Sequence, residues 1–221
     1  SGEDLDQVCE ALKKDGVGGI LATFITDDLG VMCSRMERLV QLRNQNREWS
    51  KLICGVHIEG PFLNETQGYI GAHPVKHAKR SDLGEMKRLL EAAGGLTRIV
   101  TLAPERDEGF MVTRFLTEQG ICVAAGHCDP SIKQLQESIE AGLKMFTHLG
   151  NGCPMELNRH DNVIQRVLSQ RHDLWISFIP DGAHVPFVTL KNYLDLVGTD
   201  RVVMVTDAIA AAGMGVGDYH F

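Results

Sequence analysis

The sequence predicts an α/β protein built on a parallel sheet, and three observations carry that prediction. Seven short runs rich in apolar and β-branched residues recur along the 221 residues. Amphipathic, helix-like stretches separate them. Acidic and histidine side chains gather where several of the runs end. Most runs are nearly continuous in apolar residues, as expected of parallel strands covered on both faces.

The strand-like runs are 18–26 (GGILATFIT), 52–59 (LICGVHIE), 97–104 (TRIVTLAP), 121–127 (ICVAAGH), 143–149 (LKMFTHL), 174–182 (LWISFIPDG) and 201–208 (RVVMVTDA). Between them, DLDQVCEALKKDG sets Leu5, Val8 and Leu12 on one helical face, with Gly16 as the expected C-terminal cap. SDLGEMKRLLEAAGG starts at Ser81 as the expected N-cap and ends in glycines. DPSIKQLQESIEAG and VPFVTLKNYLDLVG follow the same scheme, each closed by glycine. Alternation of this kind predicts βα units. Seven such strands are one short of a (β/α)8 TIM-type barrel, which typically needs about 250 residues. The expectation is therefore one partial barrel domain over 1–221, lacking its first strand and forming a segment of a longer protein.

Composition narrows the function classes. A net charge of −7 disfavours nucleic acid as a partner. No apolar run approaches the roughly 18 residues of a membrane span, and SGEDLDQVCE lacks the basic and apolar regions of a signal peptide. The six cysteines contain no C-x-x-C pair and several sit in apolar runs, so they read as reduced thiols of a cytoplasmic protein. The glycines around 150–152 do not form a dinucleotide loop, because no G-x-G-x-x-G follows a strand.

The functional signal lies at the strand ends. The second run ends in Glu59, the fourth in His127 and the fifth in His148; the sixth leads into Asp181 and His184, and the seventh ends in Thr206-Asp207. Each residue alone has a bland explanation: a solvated strand end, a packed histidine, a helix cap. Five strand ends that carry such residues point instead to the C-terminal face of a barrel, where such active sites form. One carboxylate and two imidazoles are a three-ligand set for one divalent ion (Zn, Fe, Mn or Co), which acidifies water and polarises carbonyls. Asp207 would then act as base toward water and as acid toward a leaving nitrogen. His57, two residues before Glu59 and on the same strand face, reads as a core or supporting residue. His77 and His160 read as solvent-facing, while His172 and His220 carry no motif.

GVHIEGPFLN, GYIGAH, AAGHCDPS, FTHLGNGCP, PDGAHVP and MVTDAIAAAG, in that order, resemble the N-acetylglucosamine-6-phosphate deacetylase family of the amidohydrolase superfamily. HLGNGCPMELNRHDN is a variant of that family's more usual asparagine-alanine-methionine-proline form. The resemblance implies Glu59, His127 and His148 as ion ligands and Asp207 as acid/base. It implies Ala72 and His73 beside the acetyl carbonyl, and Asn151, Gly152 and His184 around the sugar phosphate. Arg159 is the match for an arginine that reaches the neighbouring subunit's phosphate, which implies a homodimer. The family's small β-sandwich and first barrel strand have no counterpart in this sequence. The implied reaction is hydrolysis of the N-acetyl group of N-acetylglucosamine 6-phosphate. Its rivals are another amidohydrolase reaction, on a different amino sugar or as a deaminase, and a non-catalytic sugar-phosphate-binding module.

Overall fold

A computed structural model describes residues 2–209, 212, 217 and 218. The seven runs form seven strands: β1 (Ile20–Ile25), β2 (Ile53–Glu59), β3 (Thr97–Leu102), β4 (Cys122–Ala125), β5 (Leu143–Phe146), β6 (Trp175–Phe178) and β7 (Val202–Met204). They lie side by side in chain order, every neighbouring pair is parallel, and the curled sheet is an α/β half-barrel. Among the described residues β1 and β7 do not pair with each other.

Among the described residues eight α-helices accompany these strands: α1 (Gly2–Lys14), α2 (Leu29–Gln45), α3 (Arg47–Leu52), α4 (Leu83–Ala92), α5 (Met111–Glu118), α6 (Ile132–Ala141), α7 (Val163–Ser169) and α8 (Phe187–Val197). Local chemistry sets their ends. Asp28 caps α2 by accepting from the Gly30 and Val31 N–H groups, and Ser131 with Gln134 forms a reciprocal capping box on α6. The cap of α4 is Asp82, whose carboxylate accepts from Glu85 N–H, rather than the expected Ser81. A carboxylate at that position also complements the positive end of the helix dipole.

The strands alternate between two environments. Val56, Ile58, Val100, Leu102, Val123, Ala125, Ile176 and Phe178 point toward the helices and are fully or almost fully buried in the main apolar core. The opposite face carries Thr23, His57, Glu59, Thr101 and Ser177, because successive side chains of a strand take opposite faces. Register aligns these inner residues: Thr23 lies beside His57, and Glu59 beside Thr101. The half-barrel is thus apolar on the helix-covered side of the sheet, whereas the inner side mixes these polar residues with apolar ones such as Ile99, Ala124 and Val203. That contrast positions the site.

Candidate active site at the strand ends

Glu59 is the last residue of β2, but His127 and His148 each fall two residues beyond their strands, where the expected runs overshoot. Both histidines and Asp207 have positive φ (50°, 37° and 49°), and Phe110 is the one other such non-glycine residue among those described. Left-handed backbone costs a residue with a side chain on the order of 1–3 kcal/mol. Here it falls two residues beyond β4 and β5 and three beyond β7.

His127 Nε2 and His148 Nε2 stand 3.1 Å apart, and each is 3.2 Å from Glu59 Oε1. Four ligands held tetrahedrally at about 2.0–2.1 Å from an ion would stand roughly 3.3 Å apart, so this spacing fits a shared divalent cation. His127 Nδ1–H donates to the Tyr69 carbonyl at 2.8 Å, which leaves Nε2 unprotonated and free to ligate. The three side chains are almost wholly buried. Burial pushes the Glu59 carboxyl up, but hydrogen bonds and charge from His127 and His148 outweigh it and hold the group well below the usual range. His148 shows the reciprocal balance: burial lowers it, and Glu59 raises it further.

Glu59, His73 and His127 also offer donor atoms within 4.8 Å of one another. The tautomer of His73 argues against it as a ligand. Its Nδ1 accepts from Thr26 N–H at 3.3 Å, and the Thr26 hydroxyl lies 2.9 Å from the same atom. Burial, with His127 nearby, lowers the His73 pKa to about 4, so the ring is neutral and its proton sits on Nε2. A protonated nitrogen donates hydrogen bonds and does not bind a cation.

Glycine permits the close packing around His127. A Cβ on Gly152 (φ +59) would lie 2.9 Å from His127 Nδ1, and one on Gly71 (φ +60) 2.9 Å from His127 Cε1. Gly152, expected in the sugar-phosphate pocket, therefore borders the imidazole itself. His57 supports from below: its Nε2 lies 2.8 Å from Thr101 Oγ1, which in turn is 2.8 Å from Thr147 Oγ1. Ser177 Oγ accepts from His148 N–H at 2.7 Å, anchoring that left-handed turn.

The remaining expected residues spread along the rim. Asn151 Nδ2 donates to the His148 carbonyl at 3.4 Å, while Ala72 and Arg159 are exposed. His184 is exposed and paired through Nδ1 with Asp181 at 2.6 Å. Asp207 is exposed, and its charge reaches His148 and His57. His160 and His172 are exposed, but His77 is drawn toward Asp27 at 3.5 Å with its side chain 22% exposed. His220 lies outside the described residues. Residue types alone did not reveal Thr26, Asn64, Tyr69 or Glu105, which hold the site's histidines and loops; for Glu105, its place just beyond β3 was the available signal.

A parallel half-barrel with carboxylate and imidazole groups converging at its strand ends has the fold of the amidohydrolase class. No protein-family model matches the chain. N-acetylglucosamine-6-phosphate deacetylase of Bacillus subtilis is 31% identical over 98% of this chain and 54% of its own length. N-acetylgalactosamine-6-phosphate deacetylase of Escherichia coli O157:H7 is 28% identical over 97% of this chain and 56% of its own. The structure of a mutant N-acetyl-D-glucosamine-6-phosphate deacetylase from Mycobacterium smegmatis, in complex with N-acetyl-D-glucosamine-6-phosphate, superposes with a TM-score of 0.81. It is 30% identical, with 92% of this chain and 51% of that one covered. Over nearly all of its length the chain is a homologue of the N-acetylglucosamine-6-phosphate deacetylases. It spans about half the length of the curated relatives it matches.

Proposed function

We propose that this chain carries the catalytic face of an enzyme that hydrolyses the N-acetyl group of N-acetylglucosamine 6-phosphate to acetate and glucosamine 6-phosphate. The convergence of Glu59 Oε1, His127 Nε2 and His148 Nε2 within 3.1–3.2 Å is the observation that carries the reading. These three residues would hold one divalent cation, which when bound supplies Lewis acidity toward water and a carbonyl. His73 presents its Nε2 proton to the acetyl oxygen and favours the negative charge that builds there during attack. Asp207 takes a proton from the attacking water. It then delivers one to the departing nitrogen as the C–N bond breaks, so the products are acetate and a free amine.

Ala72, Asn151, Gly152 and His184 line the approach of the sugar phosphate in this reading. Arg159, exposed on the loop after β5, offers a planar fork suited to a phosphate bound by a second subunit of a homodimer. Six free cysteines agree with a cytoplasmic setting, and no described helix is long and apolar enough to cross a membrane.

Acetate release by the whole protein, measured beside its ion content, tests the reading. N-acetylglucosamine 6-phosphate should be turned over, and its unphosphorylated form much less well. Because a homologue is named for the galactosamine epimer, that 6-phosphate belongs in the same assay, and faster turnover of it would reassign the sugar. Saturable binding without acetate release would identify a sugar-phosphate-binding module.

A further inference from the structure

Glu105 lies three residues beyond β3, and its Oε1 gathers two donors from two different loops. Asn64 Nδ2 donates to it at 2.9 Å, and Asp129 N–H donates at 2.6 Å. Asn64 and Asp129 both bear on the left-handed turn at His127. Asn64 N–H donates to the His127 carbonyl at 3.0 Å, and Asp129 follows His127 by two residues.

The same clamp reaches the imidazole by a second route. Asn64 Oδ1 accepts from Thr66 N–H at 2.9 Å, the Thr66 carbonyl accepts from Tyr69 N–H at 3.1 Å, and the Tyr69 carbonyl accepts from His127 Nδ1 at 2.8 Å. Asp129 is held from its other side by Arg166 at 2.7 Å. One carboxylate oxygen therefore joins the backbone turn that aims His127 to the loop that orients its ring.

We propose that Glu105 is a positioning residue for the ion site, tying the loop after β2 to the turn at His127 and so fixing where His127 Nε2 points. This rests on the reading of His127 as a ligand. Partners of this kind behind a ligating histidine typically contribute about 10–100-fold in metal affinity. The carboxylate acts here as an acceptor, so an amide of the same shape can replace it.

The test is zinc affinity of the whole apoprotein, measured by competition with a chromophoric chelator, for Glu105→Ala, Glu105→Gln, Asn64→Ala, the Asn64/Glu105 double alanine variant and His127→Ala. Glu105→Ala should weaken zinc about 10–100-fold, while Glu105→Gln binds like the unaltered protein. The double variant should bind no more weakly than Glu105→Ala alone, as expected of residues acting through one link. Should Glu105→Ala fail to fold, Asn64→Ala cuts the same link from its other end and must weaken zinc. A purely structural role would lower the apoprotein's melting temperature and leave zinc affinity unchanged, which overturns the proposal. Equal loss in Glu105→Gln and Glu105→Ala overturns the positioning mechanism. Unchanged zinc affinity in His127→Ala would overturn the ligand reading itself, and this inference with it.

Discussion

The two halves of the rim are built differently. Around β2, β4 and β5, Glu59, His127 and His148 are 2–7% exposed and interlocked. Around β6 and β7, the Asp181 and His184 side chains are 44% and 51% exposed, and Asp207 is open to solvent. An ion site needs its donors desolvated and held to a few tenths of an ångström, and paired strands with a packed loop enclose Glu59, His127 and His148. The more exposed side chains follow β6 and β7, and β7 has no further partner among the described residues.

If that division is right, substitutions in the enclosed half should cost ion binding and those in the open half should cost turnover. The largest effect is expected for Glu59→Gln, which should lose most of the bound ion by elemental analysis and acetate release with it. Full ion content in that variant would remove Glu59 from the ligand set. Asp207→Asn should lower turnover about 10²–10⁴-fold, the usual contribution of a general acid–base, with ion content intact. Ordinary turnover there would end its assignment as the proton carrier.

Gly152→Ala tests how tightly the enclosed half is packed. A left-handed backbone and a Cβ 2.9 Å from the His127 ring should destabilise the fold by about 1–3 kcal/mol, read as a lower melting temperature and weaker zinc binding. Acidification probes the same half. His148 is raised, burial notwithstanding, by its contact with Glu59, and a proton on Nε2 excludes an ion. Apparent zinc affinity should therefore weaken as pH falls, beginning above the range in which an ordinary imidazole, with pKa about 6.5, takes up its proton. An apparent zinc affinity that does not change with pH across that range would show that His148 is not a ligand. The smallest change is expected in the open half: His184→Ala should shift stability by no more than about 0.5 kcal/mol and raise KM for the sugar phosphate while leaving ion content alone. An altered ion content would erase the proposed boundary between the halves.

Much of this was legible in the residues. Apolar runs at βα spacing predict the parallel order. Glu59, His127, His148 and Asp207 stand out because charged and imidazole groups are uncommon at the ends of such runs. Helix α2 was not among the predicted helices, although Asp28 caps it and Leu29, Met32 and Met36 fall on one buried face. The supporting groups were less visible. Tyr69 acts through a backbone carbonyl that every residue possesses, Thr26 through its N–H and hydroxyl, and Asn64 and Glu105 meet across 41 residues of chain.

By itself the sequence determined the alternation of elements and which side chains arrive at the C-terminal rim. Those follow from local periodicity and from residue chemistry, which need no knowledge of distant neighbours. Only the tertiary structure decided that the expected strands stop short of His127 and His148, that left-handed turns re-aim both rings, and that His73 donates where His127 can ligate. Those outcomes depend on hydrogen bonds between loops far apart in the chain, and such bonds exist only once the sheet has curled and brought the loops together.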